Sequence, residues 1–218
     1  MNICKISIII PVYNRESFIA RAIRSCIQQS MDFKDFEIIV VNDGSNDGSH
    51  SEILKFSDSI KYINLDKNKG LPNARNLGIR EAAGRYIFNL DSDDYIHPET
   101  LSFMLLAIEL NPFFDSVACD YVYTDLNDKK GDPVSSKDFP IACGILFKRQ
   151  ILIELGLYDE DLKIHEEKDL LMRYKKKHSM LHLPIPFYRY LQHEDNISKS
   201  LESEKYMKLL KKKHQNEI

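Results

Sequence analysis

The chain has 218 residues, 43% of them hydrophobic and 29% charged, with a formal net charge of −3. This is ordinary globular composition with ample length for a buried core. The acidic balance and the lack of a basic stripe interleaved with aromatics exclude nucleic acid as an obvious partner.

Four cysteines are scattered without a CxxC pair and read as reduced core thiols of a cytoplasmic protein. The apolar run Ile6 to Val12 is short and carries Pro11, so it does not read as a signal peptide. No stretch reaches the length of a membrane span. The expectation is a soluble protein that can still rest on a membrane surface.

Ile6 to Ile10 is a β-branched run that fits a strand buried on both faces of a parallel sheet. Phe18, Ile19, Ala22, Ile23, Cys26 and Ile27 then fall on one helical face, predicting a helix from about Glu16 to Gln29. Glu37 to Val41 is the second strand, a helix near Asp47 to Phe56 follows, and Ile60 to Asn64 is a short third strand. A helix over Asn73 to Ala83 is predicted to end with Gly84 as its cap. Tyr86 to Leu90 is the next strand, and His97-Pro98-Glu99 opens another helix.

The second half is less regular. Ser116 to Thr124 reads as a strand and Asn127 to Lys137 as a polar surface loop. Lys148 to Leu155 and Glu166 to Lys176 read as helices, Leu181 to Leu183 and Phe187 to Leu191 as short strands, and Glu202 to Lys213 as a charged terminal helix. The alternation predicts an α/β fold with a largely parallel sheet and right-handed connections.

Ligands bind at the carboxyl ends of strands in such sheets. Three polar clusters stand there: Pro11-Val12-Tyr13-Asn14, Asn42-Asp43-Gly44-Ser45 and Asp91-Ser92-Asp93-Asp94. Each alone also reads as a loop with a helix cap, and for the Asp43 cluster the two readings weigh equally. The third cluster puts three carboxylates within four residues after an apolar strand. Such crowding disfavours ionisation unless a cation offsets it. Mg²⁺ or Mn²⁺ bridging carboxylate and phosphate fits better than an acidic turn. Arg75, one turn into a helix, carries the planar fork that suits phosphate, although alone it reads as a structural ion pair. Glu166 to Asp169 alone reads as an acidic helix start.

In order along residues 5 to 198, these segments together resemble a family 2 glycosyltransferase of the GT-A fold. The likeness extends to Gly144 to Arg149, Leu155 to Asp159 and Glu166 to Arg173. It implies one GT-A domain over 1–198, with a nucleotide-sugar-binding half at 1–95 and an acceptor-binding half at 96–198, followed by a charged helix at 199–218. By position, the resemblance implies that Pro11, Tyr13 and Asp43 hold the nucleotide base, with Asp43 accepting from a uracil-like imide, and that Asn14 belongs to the nucleotide-sugar site. It implies that Arg75 contacts the pyrophosphate, and that Asp91, Ser92, Asp93 and Asp94 form the DxD motif at ribose and metal. The metal ligands it implies are Asp93, Asp94 and His193, the last reading equally as a surface loop histidine. Glu167 takes the place of the catalytic base, but the chain has Glu166-Glu167 where the family has Glu-Asp, and Asn42 where aspartate is common.

The expected activity is inverting transfer of a sugar from a nucleotide-diphosphate donor, uridine first, to a hydroxyl of a glycan or lipid-linked acceptor, with Mn²⁺ or Mg²⁺ as cofactor. Surface polysaccharide synthesis, at the inner face of a membrane, is the expected setting by family analogy. A catalytically silent nucleotide-sugar-binding protein is the alternative from another class. The glycine-rich loop of a pyrophosphorylase and the GxGxxG of a dehydrogenase are both absent. The terminal helix reads first as a solvated or core-capping element and second as a membrane-surface contact. A homodimer is left open.

Overall fold

The computed structural model describes residues 4–138, 140–141, 143–193 and 203–214. Strands β1 (Ile6–Val12), β2 (Phe36–Asn42), β3 (Lys61–Asn64) and β4 (Tyr86–Asn89) form the parallel part of the sheet, in the order β3-β2-β1-β4. Every residue of β1 is buried, as expected of a parallel strand covered on both faces.

Alternation along these strands sorts the core into two layers. Ile6, Ile8, Ile10 and Val12 face α1 (Ile19–Ile27), α2 (Ser49–Leu54) and α4 (Thr100–Leu110). Ile9, Ile39, Val41 and Ile87 face α3 (Leu71–Arg80), α5 (Arg149–Glu154) and α6 (Glu166–Lys175). Ser7 is the polar exception in β1. Its hydroxyl donates to Glu37 at 2.5 Å and accepts from the Gly84 amide at 2.8 Å.

The sheet continues through β8 (Ile145–Lys148), β6 (Ser116–Thr124), β9 (Met180–Leu191) and β5 (Tyr95–Ile96). β4 and β6 both run antiparallel to β8, and β5 runs antiparallel to β9, so the direction reverses three times along this path and the sheet is mixed.

Several boundaries differ from the sequence reading. The expected surface loop at Asn127 to Lys137 contains β7 (Lys130–Val134), which pairs with β6 and has four exposed residues out of five. The two short strands expected near residues 181 to 191 are one twelve-residue strand that passes through Pro184 and Pro186. Register shifts against β6 near Asp120 accommodate those prolines. Gly84 does not cap a helix, because α3 ends at Arg80 with Glu81 as its cap. Gly84 is required instead by close approach: a Cβ there would sit 2.5 Å from the Ser7 amide nitrogen.

The terminal helix α7 (Ser203–His214) buries Tyr206 and Leu210 against Leu162 and Ile164. Its Lys213 and His214 reach Asp169, which is fully buried in α6. This supports the core-capping reading. Residues 199–202 and 215–218 of the expected terminal segment lie outside the described residues. Among the described residues no helix is long and apolar enough to cross a membrane.

Candidate functional site

The carboxyl ends of β1, β2 and β4 open into one cleft of about 780 Å³. Pro11, Tyr13, Asn14, Asp43, Arg75, all four residues of the Asp91–Asp94 run and Glu167 line it. His193 does not line the cleft but joins it through Asp93.

The first two loops are stapled together. The Asn14 amide donates to Ser45 Oγ at 3.0 Å, and the Asn46 amide donates to Asn14 Oδ1 at 2.9 Å. Asn14 takes a left-handed conformation to do this. Asp43 then holds the approach to α3: Oδ1 and Oδ2 accept from the Lys69 and Gly70 amides, each at 2.8 Å. Gly44 lies directly against this segment, where a Cβ would meet the Lys67 backbone at 2.5 Å. Burial pushes the Asp43 carboxyl above its ordinary value, with the two amides opposing the shift. Asn42 turns aside and donates to Tyr62 and Asn64.

Arg75 occupies the floor and is only 1% exposed. One guanidinium nitrogen contacts Glu166 and the other donates to Asp91 at 2.7 Å. Burial alone would lower its pKa, but Asp91 and Glu166 raise it well above the ordinary guanidinium value. The sequence presents Arg75 as a phosphate contact, and the structure shows the ion-pair partners as well. Burial pushes Glu166 up to about 7, against the pull of Arg75 and with help from nearby Glu167. One guanidinium cannot neutralise two carboxylates, and the surplus falls on the more buried one. Glu167, next in α6, is half-buried and faces the cleft.

The acidic run divides by side chain. Asp93 Oδ2 lies 2.9 Å from His193 Nε2 and 3.3 Å from Arg15 Nε. The His193 ring stacks on Phe18 at 4.8 Å, which fixes its orientation. The sequence groups Asp94 with the metal ligands; in the structure it lines the cleft and each of its oxygens accepts a hydrogen bond from β9. The donors are the Tyr188 hydroxyl at 2.6 Å and the Leu191 amide at 2.8 Å. Burial, together with Asp93 and Asp91, raises the Asp94 carboxyl well above its ordinary value.

Sequence reasoning missed Arg15, Tyr188 and Cys143. Arg15 directly follows the first strand-end cluster, and that adjacency was the available signal. Tyr188 lies in β9, and Cys143, 3.7 Å from Arg75, precedes β8; neither had a local signal. Among the described residues no group of three His, Cys, Asp or Glu side chains forms a ready-made metal cage. The Asp93–His193 pair supplies one carboxylate and one imidazole. That donor set fits a divalent ion that takes its remaining ligands from substrate phosphates and water.

Comparison with known proteins agrees with this architecture. The profile described as Glycosyl transferase family 2 matches residues 7–156. The uncharacterized glycosyltransferase YwdF of Bacillus subtilis is 30% identical over 230 aligned positions, covering 96% of this chain and 84% of that protein. An uncharacterized glycosyltransferase of Rickettsia bellii is 34% identical over 177 residues, covering 75% of this chain but 25% of its own length. Among five Rickettsia relatives the chain spans between 25% and 60% of their length. The structure of S. aureus TarS 1–349 in complex with UDP-GlcNAc superposes with a TM-score of 0.83 at 23% identity, covering 97% of this chain and 67% of that one. The mannosyltransferase PcManGT from Pyrobaculum calidifontis, in complex with GDP-Man and Mn²⁺, gives 0.70 at 16% identity, covering 88% of this chain and 58% of that one. These likenesses establish a GT-A fold, and the profile spans well over half of the sequence. The chain belongs to glycosyl transferase family 2.

Proposed function

We propose that the chain is an inverting glycosyltransferase that takes a uridine diphosphate sugar and passes the sugar to a hydroxyl of a glycan or lipid-linked acceptor. One observation carries the reading: a buried guanidinium, a half-buried glutamate and the carboxylate of an Asp–His pair line one cleft at the strand ends. The uridine assignment leans on TarS, whose structure contains UDP-GlcNAc.

Tyr13, 42% exposed at the cleft edge, offers a ring face to the base. Asp43 holds the neighbouring loop and keeps lone pairs for an imide N–H. Arg75 sets positive charge beneath the diphosphate, where charge develops as the sugar leaves. Asp93 and His193 would hold a divalent cation, and Mn²⁺ in PcManGT supports that role. When bound, such an ion supplies Lewis-acid neutralisation of the leaving diphosphate. Asp94 anchors the acidic turn to β9, beside the Asp93–His193 pair.

Glu167 takes the proton from the acceptor hydroxyl, which attacks the anomeric carbon from the face opposite the diphosphate. Glu166 remains on Arg75 and sets the direction of α6. The acceptor enters past Lys163, Ile164 and Tyr190 on the far wall.

The test is a panel of labelled nucleotide sugars offered with Mn²⁺, with Mg²⁺ and with chelator. Metal-dependent release of UDP, raised by a suitable acceptor, is the expected result. Donor binding without release under every condition would leave a binding protein.

A further inference from the structure

A second cavity, of about 370 Å³, lies between α1, β5, β7 and β9. Arg21 and Arg24 enter it from α1, Lys130 from β7 and Arg189 from β9. No aspartate or glutamate lines it. For a chain with a net charge of −3, four cations around one small cavity are a local excess.

The four differ in how they are compensated. Arg21 is paired with Asp128 at 2.9 Å and lies over the Tyr95 ring at 4.5 Å. Among the described residues Arg24 meets only the Phe56 ring, at 5.6 Å, and Lys130 is exposed on β7. Arg189 is the decisive member. It is 9% exposed, and among the described residues its guanidinium meets only carbonyls, those of Pro186 and Tyr188. Burial lowers its pKa, and no carboxylate acts to raise it. A buried guanidinium is ordinarily matched by a carboxylate or phosphate. Here that partner is missing from the described protein residues while a cavity stands in its place.

We infer that this cavity is an anion site for a phosphate group, held by Arg189 from below and by Arg24 and Lys130 at its rim. Three cations without a carboxylate partner among the described residues favour a multivalent anion over a single carboxylate. The planar guanidinium forks match phosphate oxygens in pairs. The volume accommodates a phosphate or diphosphate but not a whole nucleotide sugar. The site is distinct from the cleft described above: Arg24, Lys130 and Arg189 do not line that cleft. Arg21 touches both regions, since its other nitrogen donates to the Asp93 carbonyl at 3.3 Å. The phosphate can come as a free ion or as a lipid headgroup.

The test compares the wild-type chain with the double variant R24Q/K130Q, both exposed positions whose change spares the core. Thermal unfolding is followed against potassium phosphate and pyrophosphate, with potassium chloride at matched ionic strength. A phosphate-specific Tm rise of roughly 5 °C near a hundredfold excess over Kd is expected in the wild type. It should fall by at least half in the variant. A second arm measures cosedimentation with phosphatidylglycerol against phosphatidylcholine vesicles. Selective binding there, lost in the variant, together with no response to free phosphate, assigns the headgroup as the source. An equal Tm response in both proteins places the anion elsewhere and overturns the site. So does the absence of both a phosphate shift and vesicle binding.

Discussion

Arg75 and Glu166 meet in the floor of the cleft although 91 residues separate them in sequence. The contact joins α3 to the first turn of α6 and leaves Glu167 on the cleft wall. It also shapes the pH response of the fold. The Glu166 carboxyl is raised from 4.5 to about 7 by burial, so the folded chain prefers it protonated. Stability from this group is fully present below pH 4.5 and is lost as pH rises through about 7. At about 1.4 kcal/mol per unit, the wild type should lose on the order of 2–3 kcal/mol more than Glu166→Gln between pH 5 and pH 8. Urea denaturation at the two pH values measures this. Parallel loss in both proteins would mean that Glu166 titrates as an ordinary exposed acid.

Glu167 is the test of the chemistry. Glu167→Gln preserves side-chain volume and removes only the base. Donor affinity, read by titration calorimetry, should stay within about twofold, while transfer falls ~10²–10⁴-fold. Glu167→Asp restores a carboxylate one methylene shorter and should recover part of the rate. Wild-type turnover by the glutamine variant would remove Glu167 from the mechanism.

The parallel half of the fold was legible because its strands are unbroken apolar runs and its helices carry an apolar stripe. Ile6 to Ile10 and the Phe18 to Ile27 pattern illustrate both signals. The antiparallel half lacked them. β7 is an exposed ribbon, Lys130-Gly131-Asp132-Pro133-Val134, held by backbone pairing that no hydrophobic period announces. β9 looked like two strands because Pro184 and Pro186 interrupt it, and the bulges that absorb them lie in its pairing with β6. In the cleft, each strand-end residue could be named from its loop. What each one contacts could not: Asp94 differs from Asp93 only by which way the turn points it, and that is set by Tyr188 across the sheet.

Asp169 is the buried anchor of α7, whose Lys213 also pairs with Asp159 at 2.5 Å. Asp169, fully buried, lies 2.7 Å from Arg173, 2.8 Å from Lys213 and 2.9 Å from His214. Burial alone would raise the Asp169 pKa, but Lys213, His214 and Arg173 together hold it below its ordinary value. Its stabilisation is therefore present above pH 3.8 and fades as pH falls through the depressed value. Asp169→Ala should cost about 2–4 kcal/mol, somewhat less than a fully buried pair because Lys213 is part-exposed. Faster amide exchange across α7 and residues 157–165, with unchanged exchange in β1, is the local signature. Uniform loss of protection would show instead that Asp169 supports the whole domain.

Gly84 makes the sharpest steric prediction. Its amide donates to Ser7 Oγ at 2.8 Å, and an added Cβ would meet the Ser7 nitrogen at 2.5 Å and Oγ at 2.6 Å. The first of these atoms belongs to the central strand, so a rotamer change cannot relieve the clash. Either β1 or the turn before β4 must move, at about 1–3 kcal/mol for Gly84→Ala. Moving β1 would also disturb the loop at Pro11 to Asn14, so donor binding should weaken along with stability. Gly131→Ala is the control, because its nearest atom would be 3.7 Å away, on the exposed β7. That change should stay within about 0.5 kcal/mol. Urea midpoints for the two variants decide the matter: equal stability would mean that the β1–β4 approach is looser than the contact with Ser7 requires.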